Sequence, residues 1–289
     1  MVSVCDIQVM KPLLERQGFH FSKAKGQNFL VAAWVPERIA AEAGVDADAG
    51  VLEIGPGIGP LTQQLCLRAA SVCAVELDER LRPILELTVG EFDNLEILWQ
   101  DILKTDVKAL VRERFAGLRP MACANLPYYI TTPILARLLE AACFDSVTVM
   151  VQKEVADRIA AAPGTKDYGA FSVLCQYYAQ PEILFTVPPE CFLPRPKVTS
   201  AVVCLRVRKE LPWRIRDRDL FFRTVRSGFA MRRKKLSNGL SAGFPELGKT
   251  GAAEVIAGAG LDANVRGEDL GSPEFAAISN AILDRRENG

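Results

Sequence analysis

Four short apolar runs in the first half of the chain each lead into a group that accepts hydrogen bonds: Glu53, Glu76, Asp101 and Asn125, separated by 23, 25 and 24 positions. Any one of them is explained by a strand simply ending in a polar residue. Four at near-constant spacing predict one site along one edge of a sheet, because ligands of doubly wound sheets bind outside the carboxyl ends of the strands. The first run continues into Glu53-Ile-Gly-Pro-Gly-Ile-Gly59. A lone glycine pattern is weak evidence, since glycines also serve ordinary tight turns. Here Gly55 and Gly57 allow close backbone approach to a ligand, and the carboxylate of Glu76 can accept from both hydroxyls of a ribose. No basic residue lies in this loop, so a pyrophosphate is not the obvious ligand. A nucleoside with a small zwitterionic tail fits better and points to S-adenosylmethionine. Asp101 would then read the adenine amino group.

The elements that must carry these residues follow from the pattern between 50 and 152. Strands are predicted at Val51–Ile54, Ser71–Glu76, Leu95–Asp101, Met121–Asn125 and Ser146–Gln152, with helical stretches between them. Alternation of this kind implies βαβ units and a parallel sheet. The runs are apolar throughout, as strands covered on both faces should be. Two further strands are predicted at Glu182–Val187 and Ser200–Val207. The intervening Pro188–Pro196 reads as a rigid loop outside helix or sheet, because its prolines fix φ and remove donors, and it is expected to project Phe192. The fold class is therefore α/β: a doubly wound, mostly parallel, seven-stranded sheet. After Arg208 the pattern turns helical, with Leu220, Val225, Phe229, Leu236 and Leu240 near helical spacing and helical candidates around Glu254 and Phe275. We read 1–209 as the sheet domain and 210–289 as a small all-α domain.

Composition narrows the chemistry. The chain has 289 residues, 49% apolar and 24% charged, which excludes global disorder and supports a real core. No run is apolar enough to suggest a membrane span, and the first residues lack the features of a secretory signal. With one histidine, His20, a multi-histidine metal site is impossible, and no metal is expected. The eight cysteines contain no C-x-x-C pair and read as free thiols of a reducing cytoplasm. The 35 basic and 35 acidic residues cancel, but they are not evenly spread. Residues 195–240 hold 14 basic and 3 acidic groups, while 36–194 hold 13 and 22. Arg195, Lys197, Arg223, Arg226, Arg232, Arg233, Lys234 and Lys235 thus form a candidate phosphate-backbone footprint, which Lys23 and Lys25 extend. Charge alone does not distinguish RNA from DNA or an anionic membrane.

Asn125-Leu-Pro-Tyr128 carries the most specific signal. It resembles the (N/D)-(P/L/I)-P-Y motif of methyltransferases that act on exocyclic amino groups. With Gln27-Asn-Phe-Leu30, Glu53–Gly59, Val75-Glu-Leu-Asp78, Tyr168-Gly and Pro194–Ser200, in that order along about 23–240, the chain resembles the KsgA-type ribosomal RNA adenine N6-dimethyltransferases. The resemblance implies a Rossmann-like methyltransferase fold and S-adenosylmethionine as cofactor. Its substrate would be a hairpin near the 3′ end of 16S rRNA in the immature small subunit, methylated by a cytoplasmic monomer. It assigns the Asn125 side-chain oxygen and the Leu126 carbonyl as acceptors for the target amino group, with Tyr128 and Phe192 as aromatic walls. Gln27, Asn28 and Leu30 become part of a lid over the methionine end of the cofactor. Two other readings stand beside it: the related erythromycin-resistance methyltransferases of the large subunit, and a non-catalytic RNA-binding assembly or transcription factor on the same fold.

Overall fold

The computed structural model describes residues 4–19 and 28–288. His20, Lys23, Lys25 and Gln27 lie outside the described residues. The chain divides into two compact units, 1–156 with 179–207 and 157–178 with 208–289. Where the sequence suggested one division at 209/210, these units divide the chain at three places.

In the first unit, helix α1 (Ile7–Arg16) precedes a two-residue strand β1 (Phe29–Leu30) and helix α2 (Trp34–Glu42). Strands β2 (Ala49–Ile54), β3 (Ser71–Glu76), β4 (Leu95–Trp99), β5 (Arg119–Asn125) and β6 (Ser146–Gln152) then alternate with helices α3 (Pro60–Cys66), α4 (Arg82–Val89), α5 (Val107–Arg114) and α6 (Thr131–Ala141). Helix α7 (Lys153–Ala160) leaves this unit after residue 156, helix α8 (Ala170–Tyr178) follows in the second, and the chain re-enters the first with strands β7 (Ala179–Val187), β8 (Phe192–Leu193) and β9 (Ser200–Val207). The sheet order is β4-β3-β2-β5-β6-β9-β7, with β9 antiparallel to both neighbours and the other adjacent pairs parallel. Order reverses between β2 and β5, which start on opposite sides of the switch point where such sheets bind ligands. Burial follows position. Every residue of β2 is buried, whereas edge strand β7 buries only Ala179, Phe185 and Val187. Residues on β2, β5, β6 and β9, including Val51, Met121, Met150 and Val202, pack with Val35 and Ile39 of α2 and Leu61 and Leu65 of α3 into one core.

Two predictions for the 188–196 loop need correction. Phe192 and Leu193 form β8 and pair antiparallel with Leu30 and Phe29 of β1. Phe192 is not projected: it is 3% exposed and packed with Leu30, Val35 and Phe185. Prolines exclude ladder bonds only at their own nitrogens, so the two non-proline residues remained able to pair. Likewise β4 ends at Trp99, and Asp101 sits in the following turn, where its carboxylate accepts from the Leu103 N–H at 2.9 Å.

The second unit completes α7 from Asp157 and contains α8, then α9 (Arg218–Ala230), α10 (Leu236–Gly243), α11 (Gly248–Gly258) and α12 (Ser272–Asn288). Asp217 caps α9 by accepting from the Leu220 N–H at 2.9 Å. Tyr177, Tyr178, Phe221 and Phe222 pack as an aromatic cluster, with ring centroids 4.7–6.0 Å apart. Gly239 lets α10 cross α9 closely, because a Cβ there would lie 2.3 Å from the Ser227 carbonyl oxygen. Tyr168 is buried here and donates to the Leu270 carbonyl at 2.9 Å, so the Tyr168-Gly pair serves this unit's packing.

Candidate active site

The strands β2, β3 and β5 converge on one cleft along their carboxyl edge. Its wall includes Asn28, Leu30, Glu53, Gly55, Gly57, Glu76, Asp101, Asn125, Leu126 and Tyr128. Of the cleft residues expected from the sequence and described, only Phe192 is absent from this lining, for the packing reason above. Several wall residues carried no strong sequence signal: Gln100, Ile102, Tyr129, Ile130 and Ile134. Leu77, inside the Val75–Asp78 motif but given no role there, also lines the cleft and is 61% exposed.

The glycine turn is shaped by backbone conformation. Gly55, Gly57 and Gly59 all have positive φ, at 68°, 60° and 94°, which residues with a Cβ rarely adopt. At Gly57 a Cβ would also come 3.2 Å from the ring of Phe29, so any larger residue would crowd the wall carried by β1. Pro60 then occupies the first turn of α3, where a missing N–H costs nothing.

The turn is tied to β3 by Glu76. One carboxylate oxygen accepts from the Gly57 N–H at 3.4 Å, and the other from the N–H groups of Leu77 and Asp78 at 2.9 and 2.8 Å. Burial raises the Glu76 carboxyl above its ordinary range, opposed by these three backbone donors. Next to it Asp78 holds Arg80 in a two-point ion pair, which fixes the exit of β3. Glu53 is buried deeper. Removal from water, reinforced by the charge of Glu76, pushes its carboxyl up to about 8. Its Oε2 has no hydrogen-bond partner among the described residues. A buried carboxyl in that condition is a candidate to meet a ligand's donor.

At the end of β5, Asn125 is in register with Met150 of β6, and the Leu126 N–H donates to the Met150 carbonyl at 3.1 Å. The side-chain amide of Asn125 makes no hydrogen bond among the described residues, although it lines the cleft. Pro127 and Tyr128 turn the chain into a short 3-10 segment, Tyr128–Ile130. The Thr131 hydroxyl closes that turn by donating to the Pro127 carbonyl at 3.1 Å. Burial raises the phenol of Tyr128, so it stays neutral near pH 7, and its hydroxyl shares a 2.6 Å hydrogen bond with Ser200.

The basic candidates separate by structure. In the sheet unit, Arg195 pairs with Glu190 at 3.2 Å on the surface, and Lys197 is exposed on the loop before β9. In the helical unit, Arg232 is committed internally: it bonds Glu268 at 2.7 Å and the carbonyls of Thr165 and Lys166. Arg223 donates to the Gly243 carbonyl and covers the Phe244 ring. Arg233, Lys234 and Lys235 are exposed in the turn between α9 and α10 and make no ion pair among the described residues. Arg226 is exposed on α9.

Comparison with known proteins bears on this cleft. Residues 18–279 match the family model for ribosomal RNA adenine dimethylase. A ribosomal RNA small subunit methyltransferase A from Geobacillus thermodenitrificans is 46% identical over 278 residues, 94% of either chain. Its namesake from Lachnoclostridium phytofermentans is 47% identical over 277 residues, covering 94% of this chain and 95% of that one. Among solved structures, the 23S rRNA methyltransferase ErmE is similar with a TM-score of 0.67 and 25% identity, over 89% of this chain and 100% of that one. A dimethyladenosine transferase from Plasmodium falciparum has the same fold, with a TM-score of 0.75 at 22% identity over 90% and 98% of the two chains.

Proposed function

The chain belongs to the ribosomal RNA adenine dimethylase family, and we propose that it places two methyl groups on N6 of adenosines, two of them adjacent, in a hairpin near the 3′ end of 16S rRNA, during small-subunit assembly. It is a methyltransferase that uses S-adenosylmethionine, which supplies an electrophilic methyl group on a sulfonium sulfur. The residues present fit that molecule. Glu76 accepts hydrogen bonds and reaches the cleft wall where a ribose would meet it, Asp101 offers a second carboxylate, and the buried Oε2 of Glu53 lacks a donor among the described residues. Asn28 and Leu30 would cover the methionine end. Gln27 is assigned to the same lid by resemblance alone.

The observation that carries the reading is the Asn125 amide in the wall of this cleft, without a hydrogen-bond partner among the described residues and followed by Leu126, Pro127 and Tyr128. The lone pair of an adenine amino group is delocalised into the ring, which makes the nitrogen a poor nucleophile. Two acceptors outside the ring plane, the Asn125 oxygen and the Leu126 carbonyl, would hold both amino hydrogens and favour a more pyramidal nitrogen. Pro127 stiffens the backbone that presents the carbonyl. Tyr128 offers a ring for the base to stack on, an interaction worth roughly 1–3 kcal/mol and enough to help hold an adenine extruded from its helix. Orientation then supplies much of the rate, with no nucleophilic side chain needed.

We assign the RNA backbone to the basic groups of each unit: Arg195 and Lys197 in one, and Arg226, Arg233, Lys234 and Lys235 in the other. We further infer a monomer acting in the cytoplasm on the immature subunit. All eight cysteines are free thiols, which agrees with a reducing compartment. The small-subunit substrate rests on relatives at 46–47% identity, against 25% for the large-subunit enzyme ErmE. Incubating the protein with tritiated S-adenosylmethionine and, separately, unmodified small subunits, large subunits and DNA tests the choice. Label is expected in small-subunit RNA; label confined to large subunits would transfer the assignment to the erythromycin-resistance type. Absence of transfer to all three would favour a non-catalytic factor.

A further inference from the structure

Ser200 opens β9, and because β9 runs antiparallel to β6, its first residue lies at the carboxyl edge of the parallel strands, opposite Gln152. The residue is fully buried. A hydroxyl in that position destabilises the fold unless it is hydrogen-bonded, and its partner is the phenolic oxygen of Tyr128, 72 positions away and 2.6 Å distant. The other end of the same turn is held by Thr131 through the Pro127 carbonyl. The neighbouring Tyr129 also lines the cleft, but it is 57% exposed and its hydroxyl makes no hydrogen bond among the described residues.

We propose that Ser200 is a positioning residue for methyl transfer: its hydroxyl anchors the phenolic end of Tyr128 and so sets the tilt of the ring against which the target base stacks. A ring held at both Cβ and the hydroxyl cannot swing about χ1 without breaking the bond, so the stacking face is in place before the base arrives. That bond also distinguishes Tyr128 from Tyr129 as the ring presented to the base. The proposal rests on the reading of the site given above.

The test is single-turnover transfer from tritiated S-adenosylmethionine to unmodified small subunits, with cofactor binding measured by calorimetry. The proteins compared are wild type, Ser200→Ala, Tyr128→Phe and the double variant. Each single substitution removes the same hydrogen bond and is expected to slow transfer about tenfold, with cofactor affinity unchanged. The double variant should be no slower than either single one, because the second substitution has nothing left to remove. Wild-type transfer rates in either single variant, or losses that multiply in the double variant, would overturn the proposal. Should Ser200→Ala fail to fold, Tyr128→Phe decides alone, since it deletes the bond from the other side. A wild-type protein that transfers no methyl to small subunits would instead overturn the functional reading itself.

Discussion

The carboxylate of Glu76 accepts a hydrogen bond from the backbone N–H of Gly57, so the end of β3 and the glycine turn after β2 hold each other in place. The same side chain is the best candidate for a ribose acceptor. It shapes the turn, and on the proposed reading it would also bind the ligand, so its removal should harm both. Replacing Glu76 with Ala leaves the Gly57, Leu77 and Asp78 donors without their acceptor and is expected to weaken S-adenosylmethionine binding roughly 10- to 100-fold, from the usual 1.5–3 kcal/mol of a charged hydrogen bond. Isothermal titration calorimetry measures it; an unchanged Kd would remove Glu76 from the cofactor site.

Glu53 predicts a pH dependence of stability. Its carboxyl lies near 8 in the fold and near the ordinary 4.5 once unfolded. Below 4.5 it is neutral in both states. Between 4.5 and 8 unfolding releases a proton, so this group makes the fold less stable as pH rises, by up to about 1.4 kcal/mol per pH unit. Above 8 the effect levels off. Glu53→Gln cannot ionise, so its stability relative to wild type should climb through that window in urea titrations at pH 5, 6, 7 and 8. Parallel curves for the two proteins would show that Glu53 is ionised in the fold.

The basic turn between α9 and α10 separates binding from folding. Changing Arg233, Lys234 and Lys235 to Glu should weaken small-subunit RNA binding and reduce the slope of log K against log salt by about 2, if all three meet phosphates. Thermal stability should stay near wild type. Arg232→Glu should behave oppositely and lower the melting temperature, because Arg232 is tied to Glu268 and two carbonyls. Filter binding at several salt concentrations with parallel melting curves distinguishes these. An unchanged slope in the triple variant would return the turn to ordinary solvated surface.

The residues that were legible in the sequence are those whose surroundings are uniform. Ser71–Glu76, Ser146–Gln152 and Ser200–Val207 are strands with the boundaries their apolar runs suggest, since burial on both faces leaves an unbroken pattern. Glu53, Glu76, Asp101 and Asn125 meet in one cleft because a parallel sheet brings the same ends of its strands to one edge. What escaped was decided by tertiary partners. The β1–β8 pair is two residues long and carries no periodicity, so nothing announced that Phe192 would be buried. Arg232 looks like its basic neighbours until Glu268 is found beside it. Ser200 is one small polar residue at the start of an apolar strand, and its meaning depends on a tyrosine 72 positions earlier.

Assigning methyl transfer to Asn125, in a cleft whose hold on the cofactor comes mainly from other residues, predicts that transfer and cofactor binding separate when its amide is removed. The most direct measurement is made on Asn125→Ala: calorimetric S-adenosylmethionine affinity together with the yield of N6,N6-dimethyladenosine in digested small-subunit RNA. Cofactor affinity within about threefold of wild type, and a transfer rate lowered at least about 100-fold, as for loss of one key electrostatic contact in a transition state, is the expected pair of results. Dimethyladenosine formed at the wild-type rate would take the chemistry away from Asn125.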